Sequence, residues 1–238
     1  MIRLLGFVTK EWELLRGPDH DLLKPHVWKR VKREILRGLV CGAFLGPPCG
    51  SFSAINTSVR RPDGNIWGHG CQISDNARRS VEIGNSCMKR ALSIIKLLNR
   101  QKIPWLLEHP RTSRMFKLPE VTCLMEQPGV SVTYLDQCQF GSDWRKSTTI
   151  LSGNIEEQDL QKLIKQCRPH RRGFCSRTGK KHVILRGGCP GTGKPMTHFA
   201  AAYPPRLNSM LGRILVDQVR MHGNSYEALQ EVSHCSFD

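Results

Sequence analysis

Apolar positions follow two different periods along this chain. In "KPHVWKRVKREILRG" (24–38), Val27, Val31, Ile35 and Leu36 recur at helical spacing, and Gly38 supplies a stop. "LVCGAFLG" (39–46) is short and continuously apolar, which predicts a buried strand running into a Pro-Pro-Cys turn. Residues 54–75 are rich in Gly and Asn, carry Arg60 and Arg61, and predict a long loop. From Asn76 to Arg100, Val81, Met88, Ala91, Leu92, Ile95 and Leu98 share one face of a long amphipathic helix, with Asp75 or Asn76 as its cap. "IPWLLEHP" (103–110), "VSVTYLDQ" (130–137) and "STTILSG" (147–153) predict three further strands.

Strands alternating with helices predict an α/β doubly wound sheet, and strands apolar on both faces predict parallel pairing. Ligands of such sheets bind beyond the carboxyl ends of the strands. Cys49 and Glu108 both fall at such ends. In "LGPPCGSFS" (45–53), Pro47 and Pro48 stiffen the backbone in front of Cys49 and fix the direction of its thiol. A thiol so placed can act as a nucleophile if nearby cations or a helix N-terminus favour the thiolate. A neighbouring carboxylic acid, Glu108, can hold or protonate the ring under attack.

Residues 154–238 differ in character. "QKLIKQCRPHRRGFCSRTGKKH" (161–182) is strongly basic, and "MTHFAAAYPPRLNSMLGRILVDQVR" (196–220) reads as two helices broken at Pro204 and Pro205. Tyr203 reads as packing a helix end. Cys167, His170, Cys175 and His182 are spaced as a candidate tetrahedral zinc site, though not as a standard finger. Around them Arg168, Arg171, Arg172, Arg177, Lys180 and Lys181 are candidate phosphate contacts. "GGCPGTGKP" (187–195) follows an apolar "HVILRG" strand candidate and nearly matches a phosphate-cradling loop through Gly188, Gly193 and Lys194. Pro195 stands where a magnesium-binding Ser or Thr is needed and removes an amide donor, so the stretch reads as a turn.

The whole chain of 238 residues has a net charge of +16 and is 39% hydrophobic. That composition sustains a core and favours a polyanionic partner, nucleic acid first. It carries ten cysteines. "MIRLLGFVTKEWELL" turns charged too early for a cleavable secretion signal, and no apolar run reaches membrane-spanning length. The cysteines therefore read as reduced thiols of an intracellular protein, nuclear in a eukaryote and cytoplasmic otherwise.

"GPPCGSFS", a helix, a strand ending in "EHP" and then "FGSDWRKSTTILSG" together resemble the cytosine-5 DNA methyltransferases over residues 20–153. That family carries Pro-Pro-Cys-Gln-x-Phe-Ser at its nucleophile loop and Glu-Asn-Val at the end of the next strand. A later aromatic-Gly…Gln-x-Arg-x-Arg segment enters another strand. Divergent methyltransferase-like modules of mobile elements are similar too, including in "DQCQFG" and "AAAYPPRL".

The resemblance implies a Rossmann-like class I methyltransferase sheet over residues 1–153, with a small basic C-terminal region, 154–238, that contacts nucleic acid, DNA above all. It implies that Cys49 adds to C6 of a flipped-out cytosine, whose target atoms are out of reach within the stacked duplex. Glu108 would contact N3 and the amino group, while Ser53, Arg145 and Lys146 would line the substrate. S-adenosylmethionine would donate the methyl group, with Asp21, Pro47 and Pro48 on the cofactor side.

Gly50, His109, Pro110 and Trp144 depart from the family pattern, and no Phe-x-Gly-x-Gly cofactor loop precedes Cys49. The expectation is an N-terminally truncated sheet. Two functions follow: a cytosine-5 methyltransferase-like enzyme, or a catalytically dead nucleic-acid-binding module of the same fold.

Overall fold

The computed structural model describes residues 8–13, 16–168, 171–189, 191–193 and 196–222. Helix α1 (Pro25–Leu36) starts with Pro at its first turn, where the missing N–H costs nothing. Val27, Val31 and Ile35 form its buried stripe. Leu36, one step around the helix from Ile35, is 50% exposed and does not join them. Gly38, at φ 70°, ends the helix; its N–H donates to the carbonyl of Ile35, and that of Leu39 to Glu34.

The predicted strand 39–46 condenses to β1 (Ala43–Leu45), and Cys49 opens a 3₁₀ turn over Gly50–Phe52. Helix α2 (Asp75–Arg100) is capped by Ser74, not by Asp75 or Asn76: the Ser74 hydroxyl accepts from the Ala77 amide at 3.3 Å. Strand β2 (Trp105–Pro110), helix α3 (Pro119–Met125), strand β3 (Val130–Asp136) and strand β4 (Ser147–Gly153) follow. Short helices α4 (Glu157–Gln161) and α5 (Met196–Phe199) precede the long α6 (Pro205–His222). "HVILRG" forms no strand; Lys181, just before it, makes an isolated bridge with Phe174.

The protein is α/β, with one four-stranded sheet in the order β1-β2-β4-β3. Strands β1 and β2 are parallel, linked through α2, with Ala43 opposite Trp105 and Leu45 opposite Leu107. The expected all-parallel pairing stops there, because β4 runs antiparallel to both β2 and β3. The connection 137–146 is too short for a crossover and closes a hairpin instead.

Side chains of β2 alternate between two cores. Trp105 and Leu107 pack with α1, α2 and α3, among Val31, Ile35, Met88, Ile95 and Leu124. Leu106 faces the other side, with Leu135, Ile150, Leu160, Leu207 and Ile214. Leu160, Leu163 and the apolar face of α6 thus cover the second face of the sheet. Gly153 is obligatory: a Cβ there would lie 2.4 Å from Nε1 of Trp105. No described helix is long and apolar enough to cross a membrane.

Candidate functional site

Because β1 and β2 are parallel neighbours, both point the same way, and the residues after β1 meet the end of β2. Alternation along β2 sends Glu108 to the α6 side and His109 to the α2 side. Glu108 is 5% exposed. Its Oε2 accepts from the Tyr203 hydroxyl at 2.9 Å. Its Oε1 lies 3.9 Å from Nζ of Lys146 and is buried with no hydrogen-bond partner. Burial raises the Glu108 carboxyl above its ordinary value, against the opposing pull of Lys146 and of the Tyr203 hydroxyl.

Cys49 is half-buried within the electrostatic reach of this group. Burial raises its thiol, Lys146 draws it down, and Glu108 pushes it up again. Gly46 gives Tyr203 its approach, since a Cβ there would stand 3.3 Å from the hydroxyl oxygen. Phe44 meets the Tyr203 ring edge-on at 5.6 Å. Lys146 sits at φ 28°, its Nζ donating to the carbonyl of Ala200 at 3.1 Å and lying 5.5 Å from the Tyr203 ring centroid. Burial and Glu108 both raise the Tyr203 phenol, so it stays a donor.

His109 lies edge-on to Phe52 and Phe116, and neither ring nitrogen has a partner. Burial lowers its pKa to about 3, so it is neutral. Arg61, read from sequence as part of a basic loop, is 1% exposed. Its guanidinium donates to the carbonyls of Ser51 (2.8 Å), Ile66 (2.8 Å) and Trp67 (3.0 Å), to Asn85 Oδ1 (2.8 Å) and to Ser51 Oγ (2.9 Å). It stacks 3.8 Å from the Phe52 ring centroid, and burial brings its pKa down to about 10. The loop after Cys49 is therefore fastened to α2 through one cation.

Of the sequence candidates, Cys49, Glu108 and Lys146 come together. Arg145 does not join them: it pairs with Asp136 at 3.1 Å and donates to the Cys167 carbonyl at 3.2 Å. Ser53 accepts from the amide of Ile55 within its own turn. Pro47 is half-buried and Pro48 exposed, both in the loop that carries Cys49. Asp21 accepts from the amide of Leu23 at 2.9 Å and is felt by Cys87 on α2. Tyr203, which joins the site, was assigned from sequence to packing alone; the acceptor it meets is 95 residues away.

A second cluster joins Cys138, Cys167, Cys175 and His182, whose ligand atoms all lie within 4.8 Å of one another; a Cys₃His set of this kind can hold a metal ion. Cys138, from the turn after β3, takes the place expected for His170, which lies outside the described residues, as do Lys194 and Pro195 of the phosphate-loop near-match. Arg168, Arg171, Arg172, Arg177, Lys180 and Lys181 are exposed around this cluster. Two have intramolecular roles: Arg171 lies 4.8 Å from the Phe174 ring centroid, and Arg177 donates to the Cys138 carbonyl at 2.7 Å.

Compared with protein-family models, with curated proteins and with solved structures, the chain matches none.

Proposed function

We propose that the chain is a DNA cytosine-5 methyltransferase-like protein that handles an unstacked cytosine, with Cys49 as nucleophile and Glu108 as proton donor. The observation that carries this reading is Glu108 itself: a buried carboxyl in β2 with one unpartnered oxygen, beside a lysine and within electrostatic reach of the thiol that follows parallel β1. A buried acid raised above its ordinary value keeps a proton to give.

In the proposed step the Cys49 thiol releases its proton to water and its sulfur adds to C6. The C5=C6 electron pair moves through C4 to N3, and N3 takes the Glu108 proton. C5 then takes a proton from water, N3 returns its proton to Glu108, and C5 gives its original hydrogen as a proton to the hydroxide so formed while the thiolate leaves. Lys146 favours the thiolate, and protonation of Glu108 removes the charge that opposes it.

S-adenosylmethionine would supply the methyl group, but the described residues do not fit it. Asp21 is engaged in its own turn, and Gly38, at φ 70°, serves to end α1. No described strand lies on the outer edge of β1. The second reading, a nucleic-acid-binding module without catalysis, is favoured by this misfit and by Tyr203 sitting on Glu108.

Two assays on the same protein separate the readings. Release of tritium from [5-³H]cytosine in mixed-sequence DNA reports addition at C6 without any methyl donor. Transfer of labelled methyl from S-adenosylmethionine reports the full reaction. Tritium release abolished by Cys49→Ser is the expected result. Neither release nor transfer from a folded, DNA-binding protein would leave only the binding module.

A further inference from the structure

We infer that Cys138, Cys167, Cys175 and His182 form a structural zinc site that ties the basic C-terminal region to the β3–β4 hairpin. The four ligands come from three places in the fold. Cys138 lies in the 3₁₀ turn Gln137–Phe140, Cys167 follows α4, and Cys175 and His182 flank a short bridged loop. Their ligand atoms all fall within 4.8 Å, with Cys167 Sγ 3.8 Å from His182 Nε2. Thiolates on a tetrahedral zinc, at Zn–S of about 2.3 Å, stand about 3.8 Å apart. A small contraction of the cluster brings it to that geometry.

The donors around the sulfurs distinguish a metal site from a pocket of apolar thiols. The Ser176 amide points at Cys167 Sγ at 3.3 Å, and its hydroxyl at 3.5 Å. Nε2 of Gln139 reaches Cys138 Sγ at 3.4 Å and Cys175 Sγ at 3.8 Å. The amides of Arg177 and Thr178 are directed at Cys175. The turn is built for this, with Gly179 at φ 68° and its N–H donating to the Cys175 carbonyl at 2.8 Å. Donors converging on sulfur suit thiolates, whose charge they share as an outer shell.

Chemistry selects the ion. Three thiolates and one neutral imidazole are a borderline-soft tetrahedral set, which suits zinc. All four positions are filled by protein, so the site is structural. Binding displaces three thiol protons to solvent and leaves one net negative charge. Arg177 and Arg145 answer that charge, donating to the carbonyls of Cys138 and Cys167. Asp136 completes the joint by accepting from the Cys167 amide at 2.7 Å and from Arg145.

The test is metal content and its loss, read on the full chain purified under reducing conditions. Elemental analysis is expected to give one equivalent of zinc, and cobalt exchanged for it should show the intense visible absorption of a tetrahedral thiolate site. His170→Ala should keep the metal, Cys138→Ala should lose it, and Cys138→His, which restores four ligands, should hold it. The His170→Ala and Cys138→His arms still decide if Cys138→Ala fails to fold. A folded wild-type chain that takes up no zinc or cobalt, or a disulfide among the three cysteines under these conditions, would overturn the site. So would zinc that survives Cys138→Ala but not His170→Ala.

Discussion

The hydroxyl of Tyr203 donates to Oε2 of Glu108 at 2.9 Å, across 95 residues of chain. It is a hydrogen bond by which the C-terminal region reaches the Glu108 carboxyl within β2. Tyr203→Phe keeps the ring on Phe44 and removes only the donor. The variant should lose about 1–3 kcal/mol of stability by chemical denaturation, since it leaves a buried acceptor bare. The Glu108 carboxyl should titrate still higher by carbon NMR. An unchanged titration would show that the hydroxyl does not govern Glu108.

Glu108 should make the fold less stable as pH rises. Its folded pKa is raised by burial above the ordinary carboxylate value, so between the two values the folded state holds the proton that the unfolded state has lost. The benefit of the protonated form is complete below the unfolded value and fades as pH climbs through the folded one. Glu108→Gln should therefore match wild type in acid and exceed its stability at pH 8. Urea midpoints at several pH values test this, and a gap that does not widen with pH refutes it.

His109 works in the opposite sense. Its pKa falls to about 3, so the unfolded chain takes up a proton from pH 6.5 downward that the folded chain refuses. Stability is present in full above pH 6.5 and is lost as pH falls toward 3, at up to about 1.4 kcal/mol per pH unit. His109→Phe should flatten this acid limb. It should also stabilise the neutral protein, because two unpartnered ring nitrogens between Phe52 and Phe116 disappear.

Gly84→Ala should destabilise the protein although alanine is the better helix former. A Cβ at residue 84 would stand 2.1 Å from Ser51 Oγ and 3.4 Å from the Arg61 guanidinium. Displacing Ser51 disturbs the bonds that fasten the loop after Cys49 to α2, at a cost of about 1–3 kcal/mol against a helix-propensity gain of about 1 kcal/mol. Ser51→Gly in the same chain should recover part of the loss. Thermal denaturation of the two single variants and the double variant measures this coupling.

Cys49 and Glu108 stood out in the sequence because each follows a short apolar run, but Glu108 lies within β2 rather than past it, and the run before Cys49 is only partly buried, with Leu39 71% exposed. Continuously apolar strands suggest parallel pairing, but "QCQFGSDWRK" between β3 and β4 is too short to carry a parallel crossover, so β4 runs antiparallel. Arg145 and Lys146, read as one pair, reach different partners, because the backbone turns at Lys146, whose φ is 28°. Arg61 could not be told from its exposed neighbour Arg60, because the acceptors for its guanidinium, from the loop and from α2, converge only in the folded chain. Cys138 escaped for a similar reason, since local spacing favoured His170 and a ligand from a distant turn leaves no local signal.

The second face of the sheet is closed by α6, the last helix of the described chain. During synthesis β1 to β4 leave the ribosome first, and Leu106, Leu135 and Ile150 then have only Phe140, Leu160 and Leu163 to pack on until Leu207, Leu211 and Ile214 arrive. For that interval the nascent protein shows a broad apolar surface beside an uncovered Glu108, a natural target for a chaperone and a hazard without one. A ribosome stalled before Pro205 would hold the molecule in that half-clad state.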